Sequence, residues 1–240
     1  TPRGWGRSGA QRSGGPSLGA AGGAWPALRR GEGTLFIIRR DGPKPRVLMG
    51  KRHGGHNFMP NLWVFPGGRI DRADFRAPAA TDLRPEVAGK FAAYMPLNKG
   101  RALGKAAIRE TWEEAGLLLG RPAEPRPIAG PWREFLEQGV QPDLEALSII
   151  YRAVTPPNVG KRFDTWFLMA DAERLVSLER QPDCGELEEI AWFELEEALE
   201  LPLPTVTRAV IQETRERLDN PNRPIPYMRF RMGPARPREL

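Results

Sequence analysis

Gly104-Lys105-Ala106-Ala107-Ile108-Arg109-Glu110-Thr111-Trp112-Glu113-Glu114-Ala115-Gly116-Leu117 is the stretch on which the reading of this 240-residue chain turns. Wound as an α-helix, it places Glu110, Glu113 and Glu114 at i, i+3 and i+4, so three carboxylates share one stripe with Cβ atoms roughly 5–6 Å apart. Like charges at that spacing destabilise an isolated helix by roughly 0.2–0.5 kcal/mol per pair. Arg109 stands beside the stripe and nothing basic lies on it. Clustered hard oxygen donors suit Mg²⁺ or Mn²⁺, which take a few carboxylates, waters and the oxygens of a phosphate. The helix alone leaves a second reading open, a solvated acidic face.

Upstream, Asn61-Leu62-Trp63-Val64-Phe65 reads as a strand, and Pro66, Gly67 and Gly68 are expected to end it and open a loop. Glycine lets a backbone come close to a metal or a phosphate. Taken together, Phe65-Pro66-Gly67-Gly68 and Arg109-Glu110-x-x-Glu113-Glu114-x-Gly116 resemble the signature of the Nudix hydrolases. In that family the motif runs Gly, five residues, Glu, seven residues, Arg-Glu, an apolar residue, any residue, Glu-Glu, any residue, Gly, apolar. Two departures stand out. Asp74 occupies the place of the first acid, and Arg109 follows it by 35 residues where the family has eight, so an insertion of about 27 residues, roughly 75–101, splits the motif. Thr111 takes the apolar position after Arg-Glu.

The resemblance implies an α/β protein with the Nudix fold, a mixed β-sheet sandwiched between α-helices. It implies a hydrolase of a diphosphate joined to another group, with Mg²⁺ or Mn²⁺ as cofactor. Carried over residue by residue, it assigns Glu110, Glu113, Glu114 and the Gly67 carbonyl to the metal. Arg109 would hold Glu110 by a charge-assisted hydrogen bond, and Asp74 would brace the loop. A catalytic base outside the helix is expected on the loop Gln181–Glu186: Glu186 is the candidate, Glu188 and Glu189 are rivals, and Glu110 itself could serve. All of these loop acids could equally be solvated strand-edge residues.

The substrate is less legible. Arg52 lies where one branch of the family carries a coenzyme A motif, but His53, Asn57 and Asn61 stand where that motif has Ser, Arg and Gly, so the match is partial. The Phe58-Met59-Pro60 lead-in, the split motif and Lys161-Arg162-Phe163-Asp164-Thr165 are similar to a divergent branch that includes the animal peroxisomal coenzyme A diphosphatases. Within the insertion, Val87, Phe91, Tyr94 and Met95 fall at helical spacing. That face either packs on the body or lines a pocket for the non-phosphate half of the substrate, which makes Arg52, Phe91 and Tyr94 the candidate substrate contacts. The two histidines read as loop or phosphate contacts rather than metal ligands. An RNA-cap, nucleotide-sugar or dinucleotide diphosphatase is the alternative, as is a non-catalytic binding module, whose helix acids would normally be eroded.

Composition bounds the rest. The net charge of +6 sits at the ends: residues 1–31 carry five Arg and no acid, residues 221–240 five Arg against Glu239, leaving residues 32–220 at −3. The catalytic body is thus mildly acidic, and nucleic acid is not the expected partner; a small-molecule diphosphate is, with a homodimer left open. No apolar run reaches the roughly 18 residues of a membrane span. Cys184 is the one cysteine, read as an ordinary thiol, which excludes an internal disulfide and fits a reducing compartment, so a cytoplasmic location is expected. Residues 1–31 read as a disordered basic leader too poor in apolar residues to form a core, either a translated leader or an engineered remnant. The catalytic domain is expected over 32–220, with a basic tail over 221–240. Strands are expected at 34–39, 46–50, 147–154, 163–170 and 189–193, joined for 147–154 and 163–170 by a Pro-Pro-Asn turn. Helices are expected at 85–95, 196–200 and 204–218.

Overall fold

Leu35, Phe36, Ile37 and Ile38 are all fully buried, consecutive residues of one strand that is covered on both faces. The computed structural model describes residues 30–55, 60–126, 128–155, 163–181, 187–229 and 238–239. The strands are β1 (Arg30–Arg39), β2 (Arg46–Arg52), β3 (Trp63–Val64), β4 (Gly67–Arg69), β5 (Gly120–Pro122), β6 (Val140–Pro142), β7 (Ser148–Val154), β8 (Phe163–Asp171), β9 (Leu187–Glu194), β10 (Pro226–Arg229) and β11 (Arg238–Glu239). The helices are α1 (Pro85–Ala92), α2 (Leu97–Ala115), α3 (Arg133–Glu137), α4 (Leu195–Glu200) and α5 (Thr205–Asp219).

Nine strands form one mixed sheet in the order β11-β10-β7-β8-β1-β2-β3, with β4 added on β1 and β9 on β2, while β5 and β6 pair separately. β1 runs parallel to β8 along its length. Its other edge is shared: Glu32–Thr34 pair with β4, and Ile38–Arg39 pair with β2. Leu35 and Ile37 face a core shared with Leu103, Ala107 and Ile108 of α2, and Phe36 and Ile38 face a second core with Val210 and Ile211 of α5. The sheet therefore lies between helices, as expected.

α2 is built from strong helix formers with no internal proline. Its glycines cost about 1 kcal/mol each relative to Ala, and they sit where neighbours press closest. A Cβ at Gly100 would stand 2.8 Å from the Phe91 ring, and one at Gly104 would stand 2.9 Å from Leu147. On the strand side, a Cβ at Gly33 would lie 2.5 Å from the Leu103 carbonyl oxygen, so this glycine lets α2 settle on β1. The helix stops at Gly116, whose amide donates to the Trp112 carbonyl.

Several expectations need correction. Gly67 and Gly68 do not open a loop; they form β4, held antiparallel to β1. Of the strand expected at 61–65 only Trp63 and Val64 are extended, because Asn61 turns with φ 60°. The last five residues of the supposed insertion already belong to α2. Phe91, expected as a possible substrate contact, is fully buried with its ring 5.0 Å from Trp166, so its face packs on the body. Tyr94 packs there too, 5.9 Å from Trp166 and under the Arg152 guanidinium. Nor are residues 221–229 a tail. Ile225 is buried in the α2-side core, and β10 joins the sheet beside β7. Arg217 supports that turn by donating to the carbonyls of Pro221, Arg223 and Pro224. β1 begins within the supposed leader, at Arg30. The rest of that leader, His56 to Met59, the Pro-Pro-Asn turn, Lys161, Arg162 and Cys184 lie outside the described residues. No helix among the described residues is long and apolar enough to cross a membrane.

Candidate active site

Arg109, with a side chain only 5% exposed, is the centre of the acidic stripe. Its Nη1 reaches Glu110 at 2.9 Å and Glu113, one helical turn on, at 2.7 Å. On its other side Nε and Nη2 donate to Asp74 at 3.0 and 3.3 Å, and Nη2 also donates to the Arg69 carbonyl at 3.1 Å. Burial works against this cation, but the hydrogen bond to Asp74 and the charges of Glu110, Asp74 and Glu113 outweigh it and raise its pKa.

Asp74 is fully buried. Besides Arg109 it accepts from Trp132 Nε1 at 2.8 Å and from the Asp71 amide at 2.7 Å. The shorter acid therefore braces the turn after β4 from inside the core. Burial pushes the Glu113 carboxyl up to about 7; Glu110 and Asp74 add to that, and Arg109 opposes it.

Glu114 accepts a hydrogen bond from the Gly67 amide at 2.8 Å, a contact through the N–H rather than the carbonyl that the motif assigns to a metal. Gly68 carries a second constraint: a Cβ there would fall 2.4–2.5 Å from the Glu110 carboxylate. With the acid where it stands, a side chain at this position would have to displace it. The paired glycines, Glu110, Glu113, Glu114 and Arg109 are thus brought into one place.

The other candidates fall elsewhere. Glu186 lies outside the described residues. Glu188 and Glu189 are exposed on β9, and Glu189 pairs with Lys51 at 2.7 Å. His53 accepts from the Gly55 amide at 3.0 Å, a turn contact. Arg52, at the end of β2, lends its charge to Glu32, and that group has no counterpart in the motif. Glu32 accepts from Thr165 at 3.3 Å and lies 3.6 Å from Arg69. Burial raises its pKa, opposed by Arg69, Thr165 and Arg52. Sequence reading passes over it because the contact joins β1, β4 and β8; the one available signal is an acid just before the apolar run of the first strand.

Compared with known families, residues 29–214 match the NUDIX domain. The chain belongs to the NUDIX family. Its NUDIX domain is similar to the acyl-coenzyme A diphosphatase NUDT19 of Gallus gallus, at 30% identity across 64% of this chain and 55% of that protein. The protein of the same name from Xenopus laevis is 31% identical across 30% of this chain and 25% of its own length. The chain thus spans about half, or less, of the curated relatives it matches. Among solved structures, the NUDIX hydrolase from Alicyclobacillus acidocaldarius is similar at 28% identity and a TM-score of 0.55, covering 77% of this chain and 90% of that one.

Proposed function

We propose that this NUDIX domain hydrolyses the diphosphate linkage of a small molecule, with coenzyme A or an acyl-CoA as the substrate class. The observation that carries the reading is the assembly around Arg109: Glu110 and Glu113 on one guanidinium nitrogen, Glu114 on Gly67, and Gly68 bare against Glu110. The relatives named for acyl-coenzyme A diphosphatase activity support the substrate class.

The donor chemistry fits a hard divalent cation. The stripe offers carboxylate oxygens, and the glycine backbone leaves room beside them. Among the described residues, no three His, Cys, Asp or Glu side chains are gathered in metal-binding geometry as they stand, and Arg109 bridges two of the acids. Glu110, Glu113, Glu114 and Gly67 would hold Mg²⁺ or Mn²⁺, which activates water and neutralises departing phosphate. Arg109 keeps Glu110 and Glu113 together and ties them to the braced turn at Asp74. Glu110 or Glu186 would accept the proton of the attacking water. One cysteine in the chain fits a reducing compartment such as the cytoplasm.

The test is a substrate panel with Mg²⁺ or Mn²⁺: coenzyme A, acyl-CoA, NADH, ADP-ribose, dinucleoside polyphosphates and capped RNA. Coenzyme A esters should turn over fastest, and Glu114→Gln should lower kcat by about 10²–10³, the loss seen when comparable electrostatic stabilisation is removed. Near-native turnover by Glu114→Gln, or a preference for capped RNA, refutes the corresponding half of the reading.

A further inference from the structure

One residue along β4 from the acids, the surface opens into a cleft of about 620 Å³ lined by Gly31, Arg69, Ile70, Arg72, Phe75 and Lys99. That volume lies within the roughly 300–1,000 Å³ of small-molecule sites. The cleft adjoins the acids directly. The Arg69 carbonyl accepts from Arg109, and Gly68, the residue before it, abuts Glu110. It then runs toward Lys99, which precedes Glu110 on α2 by eleven residues, or about 16 Å of helix.

The lining is cationic, and its positive charge is poorly compensated. Arg69 shares Glu32 at 3.6 Å and lies over the Phe163 ring. Arg72 and Lys99 have no ion pair among the described residues, and the nearby Asp71 turns its carboxylate to the Ala73 amide. Lys99 also stands in the first turn of α2, where the helix dipole disfavours a cation and no acid offsets it. A cation there carries a modest cost, which a bound anion would offset. Phe75 is 45% exposed, one of three large apolar side chains so exposed among the described residues. It is kept outward because its neighbour Asp74 is drawn into the core by Arg109 and Trp132.

We infer that this cleft takes the phosphorylated nucleoside half of the substrate, with a phosphomonoester held by Arg72 and Lys99 and the base laid on Phe75. The inference rests on the diphosphatase reading and specifies which half of the molecule lies on this side. Cations recognise phosphate, and an aromatic face accepts any base by stacking. Gly31 lines the cleft closely, since a Cβ there would come within 3.1 Å of the end of Ile70 and in ordinary contact with Lys99.

The test is calorimetric, on the full chain, with adenosine 3′,5′-bisphosphate and adenosine 5′-monophosphate as probes. Arg72→Ala and Lys99→Ala should each weaken bisphosphate binding at least tenfold and monophosphate binding less, and Phe75→Ala should weaken both alike. Arg126→Ala, an exposed cation elsewhere on the surface, serves as the control and should leave both constants unchanged. Melting temperatures verify that every variant is folded. No bisphosphate binding by the parent chain, no loss in Arg72→Ala and Lys99→Ala, or an equal loss in Arg126→Ala overturns the inference. Hydrolysis of coenzyme A against dephospho-coenzyme A separates the two readings. Bisphosphate binding that depends on Arg72 and Lys99, in a chain that cleaves neither compound, supports the cleft and defeats the coenzyme A reading. Cleavage of both with a CoA preference that survives Arg72→Ala and Lys99→Ala supports the activity and overturns the cleft.

Discussion

Arg109→Met keeps most of the aliphatic stem of Arg109 and deletes its charge, leaving a carboxylate at Asp74 with no exposure to solvent. Breaking a buried pair by removing one partner costs about 3–5 kcal/mol. Asp74 retains two donors, Trp132 at 2.8 Å and the Asp71 amide at 2.7 Å, so the lower end, about 3 kcal/mol, is expected. The contacts to Glu110 and Glu113 add little, because those side chains are 20% and 34% exposed. Against a typical total of about 5–15 kcal/mol this is a large fraction. Urea denaturation followed by tryptophan fluorescence measures it. Asp74→Asn closes a double-mutant cycle: with both charges gone, the double variant should lose less than the sum of the singles, by about 1–3 kcal/mol. A loss below about 1 kcal/mol in Arg109→Met, or additivity in the cycle, would show that Arg109 does not organise the turn.

Gly68→Ala should lower turnover at least about a hundredfold while circular dichroism stays unchanged, because the new methyl occupies the place of the Glu110 carboxylate; normal turnover would show that Glu110 is free to move. Phe91→Ala should cost about 3–5 kcal/mol as a core truncation, with equal kcat/KM effects on coenzyme A and on a minimal diphosphate ester. A KM rise confined to coenzyme A would restore the pocket role for its face. Burial pushes the Tyr151 phenol up to about 12, with the charge of Glu213 adding. The unfolded chain ionises this group near pH 10 while the folded chain keeps it neutral, so its contribution is complete below about pH 10. It is lost as pH rises toward about 12, at up to about 1.4 kcal/mol per pH unit. Phenolate absorbance together with urea titrations between pH 9 and 12 checks this, and Tyr151→Phe should remove that part of the alkaline loss.

Much of this molecule is set by short-range rules. The 3.6-residue period puts Glu110, Glu113 and Glu114 on one stripe whatever packs behind them, and Arg109 meets Glu113 because i and i+4 are neighbours on any helix. The apolar run Leu35–Ile38, rich in β-branched and aromatic residues, reads locally as a strand, and it is one. Other features have no local cause. Gly67 and Gly68 have almost no strand preference, and they are extended only because β1 pairs with them. Arg109, Asp74 and Trp132 meet across 35 and 58 residues of chain, a contact that no periodicity encodes. Phe91 and Tyr94 have the same helical spacing whether they line a pocket or fill a core, and what stands opposite decides between the two. Trp166 stands there, so Phe91 became part of the body, while Arg72, Phe75 and Lys99 line the open cleft beside β4.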